Sequence, residues 1–315
     1  MSKIATRDAY GEALVELGEK NESVVVLDAD LSKSTKTAGF AKKYKERFFN
    51  VGIAEQNLIG ISAGLAAVGK VPFASTFAMF ATGRAFEVIR NSVGYPKLNV
   101  KICATHAGLT VGEDGASHQS LEDIACMRAI PNMTVIVPAD GVETKMAIHA
   151  IADYNGPVYV RLGRSAVPVI NDESTYKFEI GKGSLLKEGS EVTIIATGIM
   201  VSEALEASKE LESKGVSVRV INIHTIKPID KDIIIKAAQE TGAIVTAEEH
   251  NIIGGLGSAV AEVISENYPA LLKRIGTNDT FGESGSPNDL LKKYGLTKDN
   301  IVKAVEEIIV KKGVK

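Results

Sequence analysis

Residues 100–123 read VKICATHAGLTVGEDGASHQSLED. The run to Thr105 is apolar and β-prone, and the chain then turns at once to glycines, carboxylates and two histidines before the acidic start of a helix. In an open parallel sheet, such a strand delivers its polar loop to the edge where ligands bind, beyond the strands' carboxyl ends. Working outward, the same alternation recurs. Strands are expected at 24–28, 71–76, 134–137 and 158–162. Between them lie helical patterns at 7–19, with Thr6 as its cap, and at 55–68, 82–92, 121–128 and 142–154. A second set places strands at 192–196, 216–221 and 243–247 among helices at 202–213, 230–241 and 258–267, with two closing helices at 289–293 and 299–310. The chain reads as α/β, with two domains at 1–170 and 191–315, each holding a mainly parallel sheet flanked by helices. The polar, turn-rich stretch 171–190 reads as their linker.

Composition narrows the partners. With 36 Lys and Arg against 39 Asp and Glu, net charge is −3, and nothing recommends nucleic acid or an anionic membrane surface. Cys103 and Cys126 lack metal-type spacing and suit a reducing compartment. The N-terminus has no apolar run of signal-peptide kind, so a cytoplasmic protein is expected.

Each strand end offers candidates. DADLSKST, residues 28–35, follows a strand with two carboxylates and three hydroxyls, a pattern that also caps helices. Glu55 opens an otherwise apolar or small helix in VGIAEQNLIGISAGLAAVG. An acid there suits the helix dipole, and equally a buried carboxyl that exchanges a proton with a heterocycle. Phe73, Phe77 and Phe80 cluster in PFASTFAMF, either as core or as the wall of a ligand crevice. In the long loop, His106, Glu113, Asp114 and His118 fit acid–base and hydroxyl recognition of a sugar. A metal site is the rival, but the spacing matches no His-x-x-x-His pattern, and no metal ligand is assigned to this chain. Arg161 and Arg164 in YVRLGRSAV could bind phosphate or be surface charge. GGLGSA at 254–259 lacks the third glycine of a dinucleotide fingerprint and reads as a tight helix start.

Taken in order, TRDAYGEAL, DADLSKS, VGIAEQN, FASTFAMF, THAGLTVGEDGASHQ and LGRSAV resemble the C-terminal half of transketolase, its pyrimidine-binding domain followed by its C-terminal domain. The resemblance covers essentially the whole chain and implies thiamine diphosphate as cofactor. Glu55 then matches the glutamate that hydrogen-bonds the aminopyrimidine ring and drives its imino tautomer. Phe80 matches the ring stacked on that pyrimidine, with Phe77 beside it. Asp114 and His118 match groups on the donor sugar's hydroxyls and carbonyl. Arg7, Ser34, His106 and Arg164 match those holding the substrate phosphate, and Asp30 a carboxylate near the acceptor's hydroxyls. Catalysis is then covalent, with the protein supplying proton exchange and orientation.

Whole transketolases also carry an N-terminal diphosphate-binding domain with a divalent metal, Mg or Ca, and nothing of that kind precedes Met1. The resemblance therefore implies the small subunit of a split transketolase, paired with an N-terminal subunit in a heterotetramer built on a dimer of this chain. The enzyme would move a two-carbon ketol unit between sugar phosphates. The alternatives are half of another two-chain thiamine enzyme, like 1-deoxy-D-xylulose-5-phosphate synthase or a pyruvate dehydrogenase beta subunit, or a non-catalytic binding module.

Overall fold

The computed structural model describes residues 2–313; Met1 and residues 314–315, the outer ends of the two expected domains, lie outside the described residues. The first part contributes β1 (Lys3–Ala5), β2 (Val24–Asp28), β3 (Phe48–Asn50), β4 (Val71–Phe77), β5 (Lys101–Thr105), β6 (Thr134–Ile136), β7 (Val158–Arg161) and β8 (Ala166–Pro168). The second contributes β9 (Ser184–Lys187), β10 (Val192–Ala196), β11 (Val218–Asn222), β12 (Thr225–Lys227), β13 (Ala243–Asn251) and β14 (Leu271–Thr277). One sheet has the order β12-β6-β7-β5-β4-β2-β3 and the other β14-β13-β10-β11-β9. Both are parallel except at one edge, where β12 runs antiparallel to β6 and β9 antiparallel to β11. Every residue of β2, β5, β10 and β11 is buried, as expected of strands covered by helices on both faces.

The α/β architecture is as expected, with corrections in detail. Thr6 does not cap its helix but lies inside it, in Thr6–Lys20, and its hydroxyl accepts the Gly163 N–H at 2.7 Å. The single helix expected at 82–92 is instead two π-type turns, Phe80–Arg84 and Ile89–Gly94, on either side of the short helix Phe86–Val88. Such widened turns are frequent at functional sites. The helix expected at 121–128 begins at Asp123. Three-residue β12 gave no periodic signal, yet it carries the second part of the chain into the first sheet. LLKRIGT of β14 was missed because it is an edge strand with charges in its middle.

The antiparallel pairing of β1 with β8 brings the start of helix Thr6–Lys20 beside the loop after β7. Arg7 and Arg164 thereby reach the same end of the sheet. Among the described residues, no helix is long and apolar enough to cross a membrane.

Candidate active site

The candidate side chains gather beyond the carboxyl ends of β2, β4, β5 and β7. At the end of β5, His106 takes a left-handed conformation (φ 57°) and stacks on Phe77, with ring centroids 3.8 Å apart. Its Nε2 lies 3.2 Å from Arg7 Nη1. A guanidinium only donates, so Nε2 is the acceptor and the proton sits on Nδ1, which donates to Thr105 Oγ1 at 2.9 Å. Burial, reinforced by Arg7 and Arg164, pushes the imidazole down to about 3. His106 is therefore neutral near pH 7. Arg7 also donates to the Ser34 carbonyl at 3.0 Å, so Arg7, Ser34 and His106 meet directly. Arg164 donates to the Val111 carbonyl and to Glu113 Oε2, the latter at 3.1 Å, and its charge is felt at both Arg7 and His106.

On the neighbouring wall, Phe77 and Phe80 stack at 5.9 Å, and His118 meets Phe80 edge-on at 5.2 Å. Glu55 occupies the first turn of helix Glu55–Ala67 and is only 5% exposed, so the helix-start and buried-carboxyl readings hold together. Its Oε1 accepts from Arg84 Nη1 at 3.1 Å, and the Arg84 guanidinium lies 4.4 Å over the Phe80 ring. Asp30 and Asp114 stand outside these contacts, both exposed; Asp30 accepts from Asn50 Nδ2 at 2.8 Å.

Several residues have structural roles. Arg161 is not a phosphate ligand: it is buried, and its Nε donates to Asp123 Oδ2 at 2.8 Å. Asp28 is fully buried and organises the turn after β2, accepting from the Leu31 N–H and from the Thr35 and Thr37 hydroxyls. GGLGSA is the start of helix Leu256–Asn267, where the Glu248 carboxyl accepts the N–H groups of Leu256 and Gly257. A Cβ on Gly255 would lie 2.0 Å from Glu248 Oε2, so only glycine passes. Sequence reasoning missed Arg84 and Glu249. Arg84 follows Phe80 by four residues, the spacing of neighbours on a helix face. Glu249 belongs to TAEEHN, where two adjacent carboxyls interrupt an apolar strand.

An aromatic wall with a buried carboxyl on one side and a cationic cluster on the other, at the strand ends of a mainly parallel sheet, is the arrangement of a ligand site in an α/β enzyme. Two family descriptions match the chain: "Transketolase, pyrimidine binding domain" over residues 2–169 and "Transketolase, C-terminal domain" over residues 181–301. The chain belongs to the transketolase family. It is 59% identical to a putative transketolase C-terminal section of Methanocaldococcus jannaschii, over 96% of this chain and 95% of that one. It is 45% identical to a 6-deoxy-6-sulfo-D-fructose transketolase subunit of Clostridium sp. (strain MSTE9), over 97% and 95%. A solved structure described as a split gene transketolase, inactive beta4 tetramer, superposes with a TM-score of 0.92 at 60% identity, covering 98% and 99% of the two chains.

The family implies use of thiamine diphosphate, and the residues present fit its aminopyrimidine end. Glu55 uses one carboxyl oxygen on Arg84, while among the described residues Oε2 has no protein hydrogen bond. That leaves one oxygen of a largely buried carboxyl free to accept, beside the Arg84 guanidinium that covers Phe80.

Proposed function

We propose that this chain is the C-terminal subunit of a two-chain transketolase. It transfers a two-carbon ketol unit from a ketose phosphate to an aldose phosphate, and an N-terminal subunit supplies the diphosphate-binding domain and holds a Mg or Ca ion. Residues 1–170 form the pyrimidine-binding unit and 191–315 the body of the C-terminal unit, in a cytoplasmic heterotetramer built on a dimer of this chain. The sheet of the C-terminal unit also takes in β9 (Ser184–Lys187) from the stretch 171–190 expected as linker. The observation that carries the reading is the junction in one crevice of a buried carboxyl at an aromatic wall with the Arg7, Ser34 and His106 cluster. Relatives of matching length support the division into two chains, since one is described as a C-terminal section and another as a split gene product.

Thiamine diphosphate, when bound, supplies a nucleophilic carbon that also accepts the electron pair left by the cleaved bond. Glu55 would hold a proton shared with a pyrimidine ring nitrogen, and Phe80, with Phe77 behind it, would take that ring against its face. His118 and Asp114 hydrogen-bond the donor's hydroxyls and carbonyl, and Asp30 orients the acceptor's hydroxyls. Arg7 and Arg164 meet the phosphate charge, while neutral His106 and Ser34 orient Arg7.

The test is ketol transfer from xylulose 5-phosphate to ribose 5-phosphate. The isolated chain gives none, and activity appears on adding the second subunit, thiamine diphosphate and Mg. Full turnover by this chain alone overturns the reading. A sulfonate also presents three terminal oxygens to the arginines, though with one negative charge rather than about two, and the Clostridium relative's name makes a sulfonated ketose the second substrate to assay.

A further inference from the structure

The loop that carries Asp114 and His118 is closed at its neck from the second domain. Gly108 N–H donates to the Ser120 carbonyl at 3.0 Å, and Ala107 bridges Ser120, so residues 108–120 leave and rejoin the sheet at one point. The short turn Leu109–Asp114 that follows starts without a side-chain cap of its own. A helical start leaves N–H groups unpaired. The missing acceptor comes from β13: Glu249 Oε1 accepts the Thr110 N–H at 2.6 Å. Gly108 sits at φ +83°, and a Cβ there would lie 2.3 Å from the Glu249 carboxyl carbon. The carboxyl thus lies flat on the loop's neck.

Other contacts converge on the same place. Arg161 donates to the carbonyls of Glu249 and Ser120, at 2.9 and 3.3 Å, and holds Asp123, where the chain leaves the loop. Gln119 Nε2 lies within 3.3 Å of the carbonyls of Leu109, Gly112 and Glu283, the last again from the second domain. Ser165 donates to the Thr110 carbonyl at 3.1 Å.

We propose that Glu249 is a positioning residue: its carboxyl pins the first turn of Leu109–Asp114 and so sets where Asp114 and His118 stand in the crevice. The second domain then acts on the substrate site without touching substrate. That functional consequence rests on the transketolase reading, whereas the pinning itself does not.

Amide hydrogen exchange on the full chain tests the pinning with no need for activity. In Glu249→Ala, exchange across 108–120 rises about tenfold, the effect of one lost hydrogen bond, while β2, β4 and β10 exchange as in the wild type. Glu249→Gln keeps an acyl oxygen for Thr110 and restores near wild-type exchange. If Glu249→Ala does not fold, Glu249→Asp, whose carboxyl is one methylene too short to reach the Thr110 N–H, gives the same local rise. In the assembled enzyme, Glu249→Ala raises KM for the donor ketose about tenfold and leaves exchange of the cofactor's C2 hydrogen unchanged. Wild-type exchange across 108–120, or an equal rise throughout the chain, overturns the proposal. A wild-type enzyme without ketol transfer overturns the transketolase reading instead, and leaves the pinning result standing.

Discussion

Replacing Glu55 by Gln separates chemistry from architecture. The substitution is isosteric, so it opens no cavity in the 13-residue helix that Glu55 begins. It weakens the ion pair with Arg84, whose side chain is 55% exposed, and a pair of that kind is worth about 0–1 kcal/mol. Thermal stability is therefore expected to fall by no more than about 3 °C. The chemical loss is of another order. A positioned group that exchanges a proton contributes roughly 10²–10⁴ in rate, and an amide cannot exchange that proton. The assay is exchange of the cofactor's C2 hydrogen in the assembled complex, read beside the melting curve of the same sample. An intact melt with exchange slowed by at least a hundredfold is expected. Wild-type exchange in a properly assembled Glu55→Gln complex would reduce Glu55 to a helix-start residue, and a melt lowered as far as the exchange rate would assign the effect to folding.

The phosphate cluster gives a substrate contrast: Arg164→Ala and His106→Asn each raise KM for phosphorylated ketoses by about ten- to a hundredfold and for hydroxypyruvate far less, whereas equal rises would place both residues at the reacting centre. His106 also makes acid stability testable. Its depressed pKa, about 3 in the fold against an ordinary 6.5, means the unfolded chain binds more protons between those values, so its contribution is complete above pH 6.5 and lost as pH falls towards 3. Between pH 7 and 4.5 the wild type should lose about 2 kcal/mol more than His106→Asn in urea titrations, and parallel curves would refute the assignment. Asp123→Ala leaves Arg161 charged and Tyr159 without its 2.7 Å partner in the interior, at a cost of about 3–5 kcal/mol in unfolding free energy; a change below about 1 kcal/mol would show that water reaches the pair.

The sequence made the crevice legible because its groups sit one after another at strand ends, where an apolar run breaks into polar residues. Phe77, His106 and Arg164 each stand within three residues of a β4, β5 or β7 terminus, so locating the strands located them. What stayed hidden depends on pairing between distant segments. Arg161 and Arg164 look alike in YVRLGRSAV, yet only the partners Asp123 and Glu249 show that the first is a buried strut. Likewise Thr6 has the chemistry of a cap, and its hydroxyl was claimed by Gly163 instead. Short edge strands escaped for a related reason: β12 has three residues, too few for a period, and is held by β6 rather than by its own pattern.

The position of Glu249 bears on why a transketolase site tolerates division between two chains. Binding a polar substrate demands fixed geometry, and a glycine-rich loop cannot supply that from its own side chains. Here the loop's neck is fixed by groups of this same chain: Glu249 on Thr110, Arg161 on Ser120, and Gln119 between Leu109 and Glu283. On the proposed reading, the half of the crevice that recognises the sugar is then ordered by this chain's own contacts before any second subunit arrives. A partner then has only to complete the cofactor's site, and the ordering cost of the 108–120 loop is not charged to assembly. On the proposed reading association and cofactor binding are coupled, because the aromatic wall and Glu55 would bind one end of a molecule whose other end belongs to the partner. By linkage, whatever factor the partner adds to cofactor affinity, the cofactor must add to subunit affinity.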